Sequence, residues 1–90
     1  MMYPYMTLSD GTEVTYSEIR KNDNNEEQVL VYYERWNDKH NAFDSMECLL
    51  PDGKMSKIIG FSDEEVNKHY SRLKKLEPII FDCARKEDGE

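Results

Sequence analysis

Long apolar runs, paired cysteines and a basic leader are missing from this chain, and each absence excludes a class of protein. Crossing a bilayer with a helix takes roughly 20 mostly apolar residues, and no segment of the 90 residues approaches that length. The two cysteines, Cys48 and Cys83, are too few for a disulfide scaffold and form no C-x-x-C motif. The start, "MMYPYMTLSDG", has no basic segment before an apolar one. We therefore expect no secretory signal and a cytoplasmic protein without a membrane anchor.

Positive charge is also scarce. Nineteen Asp and Glu outnumber twelve Lys and Arg, which gives a net charge of −7. The imbalance lies in residues 1–50, where ten acidic side chains occur with four basic ones. Because proteins bind nucleic-acid phosphates through Lys and Arg, this composition argues against direct DNA or RNA binding. With 38% hydrophobic and 11% aromatic residues, residues 1–90 are predicted to form one folded domain.

Motifs for catalysis, cofactors and metals are absent as well. The sequence has no phosphate-binding loop, dinucleotide fingerprint or nucleophile elbow. His40 lies between Asp38 and Asp44 without a second histidine nearby, so a solvated turn explains it better than a metal site. We interpret His69 as a rim residue of a helix and Cys48 as an inert, buried thiol. The sequence therefore predicts no catalytic residue, no cofactor and no metal, in a protein that is not an enzyme.

What the sequence does contain is a succession of apolar stretches separated by turn signals. "SDGT" at 9–12 and "PDGK" at 51–54 each lie between such stretches, which is the strongest short-range pattern for a hairpin. Pro4 favours an edge position for the first strand, because proline cannot donate to a strand ladder. We predict a five-stranded antiparallel meander with strands at about 3–8, 13–19, 28–36, 43–50 and 54–60.

A helical period begins after residue 61. Ser62 and Glu65 have the spacing of a capping box, and apolar residues then recur every three or four positions as far as Leu76. Pro78 removes one helical hydrogen bond, so it either kinks one long helix or lies in the first turn of a second. We predict helix at about 62–76 and 78–86. The fold class is then α+β, with the helical part packed on one face of the sheet.

The segment "VLVYYERW" at 29–36 has apolar side chains on both sides of its predicted strand. A half-buried strand alternates apolar and polar residues, so this departure predicts a second apolar sheet face. One helical layer covers a single face, and aliphatic side chains suit it. The residues that we expect it to cover are Met6, Leu8, Met46, Cys48, Leu50 and Ile58.

The uncovered face is then predicted to be aromatic and to bind a partner, because tyrosine combines an apolar ring with a polar tip and is enriched at interfaces. Alternatively, the sheet curls until the tyrosines close over one another. The predicted partner-binding residues are Tyr3, Tyr5, Tyr16, Tyr32, Tyr33, Trp36 and Phe43.

Three hypotheses of function follow. The first is a non-enzymatic protein–protein interaction module that forms a homodimer or binds another protein through the aromatic sheet face. The second is an acidic inhibitor or nucleic-acid mimic that binds a basic protein. The third is a small-ligand binder that uses a cleft between helix and sheet. The second hypothesis rests on the acidic residues Glu13, Glu18, Glu26, Glu27, Glu34 and Glu47.

The stretches "YERW", "FDSMECLLPDG" and "IIGFSDEEV" together give the chain a resemblance to a family. It resembles a small family of uncharacterised bacterial single-domain proteins of about this length. The resemblance implies a stand-alone bacterial protein. It implies no activity and assigns no functional residue.

Overall fold

An antiparallel sheet followed by one long helix makes up the computed structural model, which describes residues 1–51 and 53–87. The strands pair in the order β1–β2–β4–β5–β6, and β3 pairs with β4. The predicted α+β class, an antiparallel meander followed by a C-terminal helix, is confirmed. In the described ranges no helix combines the length and apolar character needed to cross a membrane. The elements are β1 (Met2–Thr7), β2 (Glu13–Ser17), β3 (Arg20–Lys21), β4 (Glu27–Asn37), β5 (Ala42–Leu50), β6 (Ser56–Ile59) and α1 (Asp63–Glu87).

β3 is not among the five predicted strands. It follows β2 along the same side of β4, and the register against β4 shifts by one residue between the two. At this break the hydroxyl of Ser17 accepts a hydrogen bond from the backbone N–H of Leu30 at 3.0 Å. A side chain thus satisfies a backbone donor at the point where the ladder is interrupted. β2 and β3 therefore behave as one strand with an irregularity.

The core lies between the sheet and α1. Residues of β4 and β5 that face each other across the strands share a side of the sheet, and the side that faces α1 is buried from Val29 to Tyr33 and from Asp44 to Leu50. The helix adds Leu73, Ile80 and Ala84 from one stripe. The buried sheet residues on this side are Val14, Tyr16, Val29, Val31, Tyr33, Met46, Cys48 and Leu50.

The prediction of the covered face is confirmed for Met46, Cys48 and Leu50, and Met6 and Leu8 pack partly buried against the same core. It is wrong for Ile58, whose side chain is 43% exposed. The register between β5 and β6 shifts in this region, and the backbone of the preceding residue has a positive φ of 52°. The alternation of sides is therefore broken before Ile58 is reached.

α1 is one continuous helix, which is the first of the two alternatives that Pro78 left open for the predicted segments 62–76 and 78–86. Its capping box is present: the Ser62 hydroxyl accepts from the Glu65 N–H at 3.2 Å, and the Glu65 carboxylate accepts from the Ser62 N–H at 3.0 Å. Pro78 lies inside the helix at an exposed position. The buried stripe continues past it through Ile80 and Ala84. Packing of that stripe offsets the one hydrogen bond that proline removes.

Candidate functional site

Trp36 and Phe43 form an aromatic pair on the side of the sheet that faces away from α1. They lie opposite each other in β4 and β5, and their rings meet edge to face with centroids 5.1 Å apart. Both are exposed, by 48% and 52%. The indole Nε1–H of Trp36 donates to the carboxylate of Asp38 at 2.6 Å. The two rings thus support each other, and about half of each residue remains available to a partner.

Other large side chains extend this surface. Leu30 lies opposite Leu49, and Tyr32 lies opposite Glu47. Ile59 of β6 is aligned with Ser45 and is 61% exposed. Adjacent residues of a strand point to opposite sides, so these positions share the side that faces away from the helix. We call this set the outer patch, and its members are Leu30, Tyr32, Trp36, Phe43, Leu49 and Ile59.

Acidic residues lie on the same side of the sheet as the outer patch. Glu13 of β2 lies directly opposite Glu34 of β4. Like charges in this position repel each other, and neither carboxylate forms an ion pair with any described residue. Glu47, further along the sheet, approaches the ammonium of Lys57 at 3.5 Å. The surface therefore combines exposed rings with two uncompensated negative charges.

Three of the seven predicted partner-binding residues belong to the outer patch: Tyr32, Trp36 and Phe43. The predicted placement is wrong for the other four, which lie on the helix side. Tyr16 and Tyr33 are buried in the core, and the two tyrosines of β1 pack against the Tyr16 ring. The four residues on the helix side are Tyr3, Tyr5, Tyr16 and Tyr33.

The cause of this error is the alignment of the strands. Tyr3 lies opposite Tyr16, and Tyr16 lies opposite Val31, so all three must share one side. A register shift between Pro4 and Met6 breaks the alternation of sides around Tyr5. The Tyr16 hydroxyl donates to the Glu87 carboxylate at 2.8 Å. Burial and this hydrogen bond raise the pKa of Tyr16 to about 12.

Arg35 forms a second notable group, at the start of α1. Its guanidinium donates to Asp44 at 2.8 Å and to Glu65 at 2.7 Å, and lies 3.6 Å from Asp10. It also stacks over the Phe61 ring at 4.3 Å. The hydrogen bond from Arg35 lowers the pKa of Glu65 to about 2 and, with Asn37, holds the pKa of the buried Asp44 below its ordinary value. This group ties both central strands, the β1–β2 turn and the helix together.

A cleft of about 220 Å³ adjoins the Arg35 group where the β1–β2 turn meets the helix. His69 is buried in its wall, with the Tyr33 and Phe61 rings 5.3 Å and 5.9 Å away. Its Nδ1 has no described hydrogen-bond partner, and burial lowers its pKa. The cleft is lined by Leu8, Ser9, Asp10, Glu65, Lys68, His69 and Arg72.

His69 is therefore a buried residue, and its interpretation as a rim residue is wrong. The sequence held a signal for this position, since 69 lies four residues before Leu73 and so on the same helical stripe. His40 lies in an exposed turn. Within residues 1–51 and 53–87, no three His, Cys, Asp or Glu side chains are grouped as metal ligands would be.

No family model, no curated protein and no solved structure gives a significant match to this chain. Among the described residues, the outer patch presents exposed rings beside carboxylates, and the cleft beside His69 presents charged side chains around a small space.

Proposed function

We propose that this chain is a non-enzymatic interaction module whose outer patch binds a protein surface that combines apolar side chains with Lys or Arg. The observation that carries the proposal is the exposed pair of Trp36 and Phe43, aligned across β4 and β5. Single exposed apolar residues are common on soluble proteins and need no explanation. Two large rings in mutual contact, with Leu49 and Ile59 also exposed on the same side, are less ordinary.

Aromatic residues support a protein partner for energetic reasons. A ring covered on binding leaves water with little loss of conformational entropy, because it has few rotatable bonds. Trp and Tyr are accordingly enriched among the residues that contribute most to binding. The outer patch contains one residue of each type, Trp36 and Tyr32. The indole N–H of Trp36 already donates to Asp38. Covering the Trp36 ring would therefore leave no indole donor without a partner.

Charge favours a cationic partner over a second copy of this chain. Glu34 lies between Tyr32 and Trp36 along β4, and Glu13 opposes it from β2 at the border of the outer patch. Two copies stacked face to face would therefore place carboxylates of both copies in one interface. The net charge of −7 adds long-range repulsion between copies. A Lys or Arg of another protein placed between Glu13 and Glu34 would instead relieve their repulsion. A second copy of this chain, as in the homodimer predicted from the sequence, is thus the alternative to a cationic partner on the outer patch.

The ion pairs of the chain argue against the hypothesis of an acidic mimic. Glu18 approaches both the N-terminal amine and Arg20, Glu27 approaches Arg85, and Glu47 approaches Lys57. Part of the acidic set is thus neutralised within the chain. An unbroken array of phosphate-like charge is therefore not what these side chains offer a basic protein.

A displayed library of random peptides, selected on the full chain, tests the proposal. We expect the selected peptides to be enriched in aromatic residues together with Lys or Arg. Their binding should be lost in Tyr32→Ser/Trp36→Ser and weakened in Glu34→Gln. Ile79→Ser is the matched control, because Ile79 is 51% exposed on the helix, away from the outer patch. That variant should bind as the wild type does.

Two results would contradict the proposal. Peptides that bind the double variant as well as the wild type would show that the outer patch is not the binding surface. A dimer in sedimentation equilibrium that the double variant abolishes would show that a second copy, not a cationic partner, occupies the patch. Salt separates the contributions further, since screening weakens the contact with Glu34 more than the contact with the rings.

A further inference from the structure

The cleft beside His69 differs from the outer patch in that its acceptors are engaged and its donors are free. Asp10 accepts from the Thr12 N–H at 2.9 Å and lies near Arg35. Glu65 accepts from Arg35 and from the Ser62 N–H. The two carboxylates in the wall therefore have partners already.

The donors in the same wall have no such partners. Lys68 and Arg72 form no hydrogen bond or ion pair with the described residues. They lie four residues apart on one face of the helix and both are exposed. The Ser9 hydroxyl likewise has no bond in the described part of the chain, and the buried imidazole of His69 lies between the two cations in sequence. Two cations, a hydroxyl and an imidazole thus line one small space.

We propose that this cleft binds a small molecule through an oxyanion, either a phosphate or a carboxylate group, held between Lys68 and Arg72. Arg72 supplies the forked guanidinium that matches a phosphate or carboxylate in two hydrogen bonds. Lys68 adds a point charge, and Ser9 offers a hydroxyl from the β1–β2 turn. The site is separate from the outer patch and its test is independent of the function proposed above.

The dimensions of the cleft limit the ligand. Its volume of about 220 Å³ is below the roughly 300–1,000 Å³ of pockets that enclose drug-sized molecules. The neighbouring apolar space between β1 and the helix holds only about 10 Å³. The cleft therefore has room for the anionic group and a few attached atoms, with any larger remainder of the ligand in solvent.

Nuclear magnetic resonance on the ¹⁵N-labelled full chain tests this inference. Inorganic phosphate and benzoate serve as separate probes of the two oxyanions, and the signals to follow are the His69 ring and the backbone amides of Ser9 and Asp10. We expect saturable shifts with at least one probe and a dissociation constant in the millimolar range, as fits one small charged group. Saturation by phosphate alone identifies a phosphate ligand, and saturation by benzoate alone identifies a carboxylate ligand.

The variant Lys68→Gln/Arg72→Gln should bind the same probe about tenfold more weakly or worse. Both side chains are exposed, so their replacement should leave the fold intact. Lys75→Gln is the matched control, since Lys75 is an exposed helix cation outside the cleft, and it should bind as the wild type does. The inference is overturned if neither probe gives saturable shifts, or if the double variant binds as tightly as the wild type. It is also overturned if Lys75→Gln weakens binding equally, because the effect would then come from net charge.

Discussion

Arg35 and Asp44 lie opposite each other on β4 and β5, and the guanidinium donates two hydrogen bonds to one carboxylate oxygen, at 2.8 Å and 3.1 Å. Asp44 is almost fully buried, at 3% exposure. The same guanidinium reaches Glu65 in the capping box of α1. A charged pair in the sheet thus connects the first turn of α1 to β4 and β5, on the side of the molecule that holds the His69 cleft.

Arg35→Met is expected to destabilise the fold by about 3–5 kcal/mol, because it leaves a buried carboxylate without its cation. Arg35→Met/Asp44→Leu should cost less than the single variant, since the charge and its partner are removed together. Urea unfolding of both variants measures the difference. If the double variant is no more stable than the single one, the burial of Asp44 is not what makes Arg35 necessary.

The buried His69 makes stability depend on pH in the weakly acidic range. Burial and the nearby charge of Arg72 lower its pKa in the folded chain below the ordinary value, and Arg35 acts in the same direction, whereas Asp10 and Glu65 oppose it. The unfolded chain therefore binds the proton more readily, and the folded state loses stability as pH falls below about 6.5. Above that pH the contribution is complete. The free energy of unfolding should thus decrease from about pH 7 to pH 5.

His69→Gln is the variant that isolates this effect, because glutamine does not titrate. The carboxylates of Asp44 and Glu65 have pKa values below their ordinary ones, about 2 for Glu65. Their contributions to the free energy of unfolding are therefore lost at lower pH than the contribution of His69. The slope between about pH 7 and pH 5 should therefore be smaller in the variant than in the wild type. An unchanged slope would assign the dependence to another group.

Burial also predicts that the thiol of Cys48 is unreactive in the folded chain. Cys48 is fully buried, and burial raises its pKa to about 11; its thiol donates to the Gly53 carbonyl at 3.1 Å. Because the thiolate is the reactive form, Cys48 should react with a thiol reagent only when the chain unfolds. The measurement is the rate of labelling by a thiol reagent in Cys83→Ser, in which Cys48 is the remaining thiol. Cys48→Ser, which keeps only Cys83, is the comparison. Rapid labelling of Cys83→Ser in native buffer would contradict the prediction.

The sequence predicted the fold from local signals that the structure uses as expected. The capping box at Ser62 and Glu65 lies at the start of the helix, and "SDGT" separates β1 from β2. The second predicted turn, "PDGK", includes Asp52, which lies outside the described residues. The sequence could not predict which side of the sheet each set of alternate side chains faces. Tyr32 and Tyr33 are neighbours with similar propensities, yet one belongs to the outer patch and the other to the core. A one-residue change of register exchanges such rows.

The candidate sites depend on contacts between residues distant in sequence, and this limited their prediction. The pair of Trp36 and Phe43 follows from hairpin pairing and was partly foreseen, since both were among the predicted partner-binding residues. A cleft between helix and sheet was one of the hypotheses, but its lining residues were not predicted, because they require the β1–β2 turn at Asp10 to meet the helix at His69. No spacing in the sequence specifies that meeting. The link is Arg35, which contacts both segments.

Gly60 and Gly11 offer a comparison that separates backbone strain from a close contact. Both have positive φ, 84° and 90°, so alanine at either position costs roughly 1–3 kcal/mol in backbone strain. A Cβ at Gly60 would also collide with the buried Asp44 carboxylate, whereas one at Gly11 meets no atom within 4 Å. Gly60→Ala should therefore be clearly less stable than Gly11→Ala in urea unfolding, because it displaces Asp44 from Arg35. Equal losses in the two variants would mean that Asp44 moves aside freely, and the tight packing between Gly60 and Asp44 would not matter for stability.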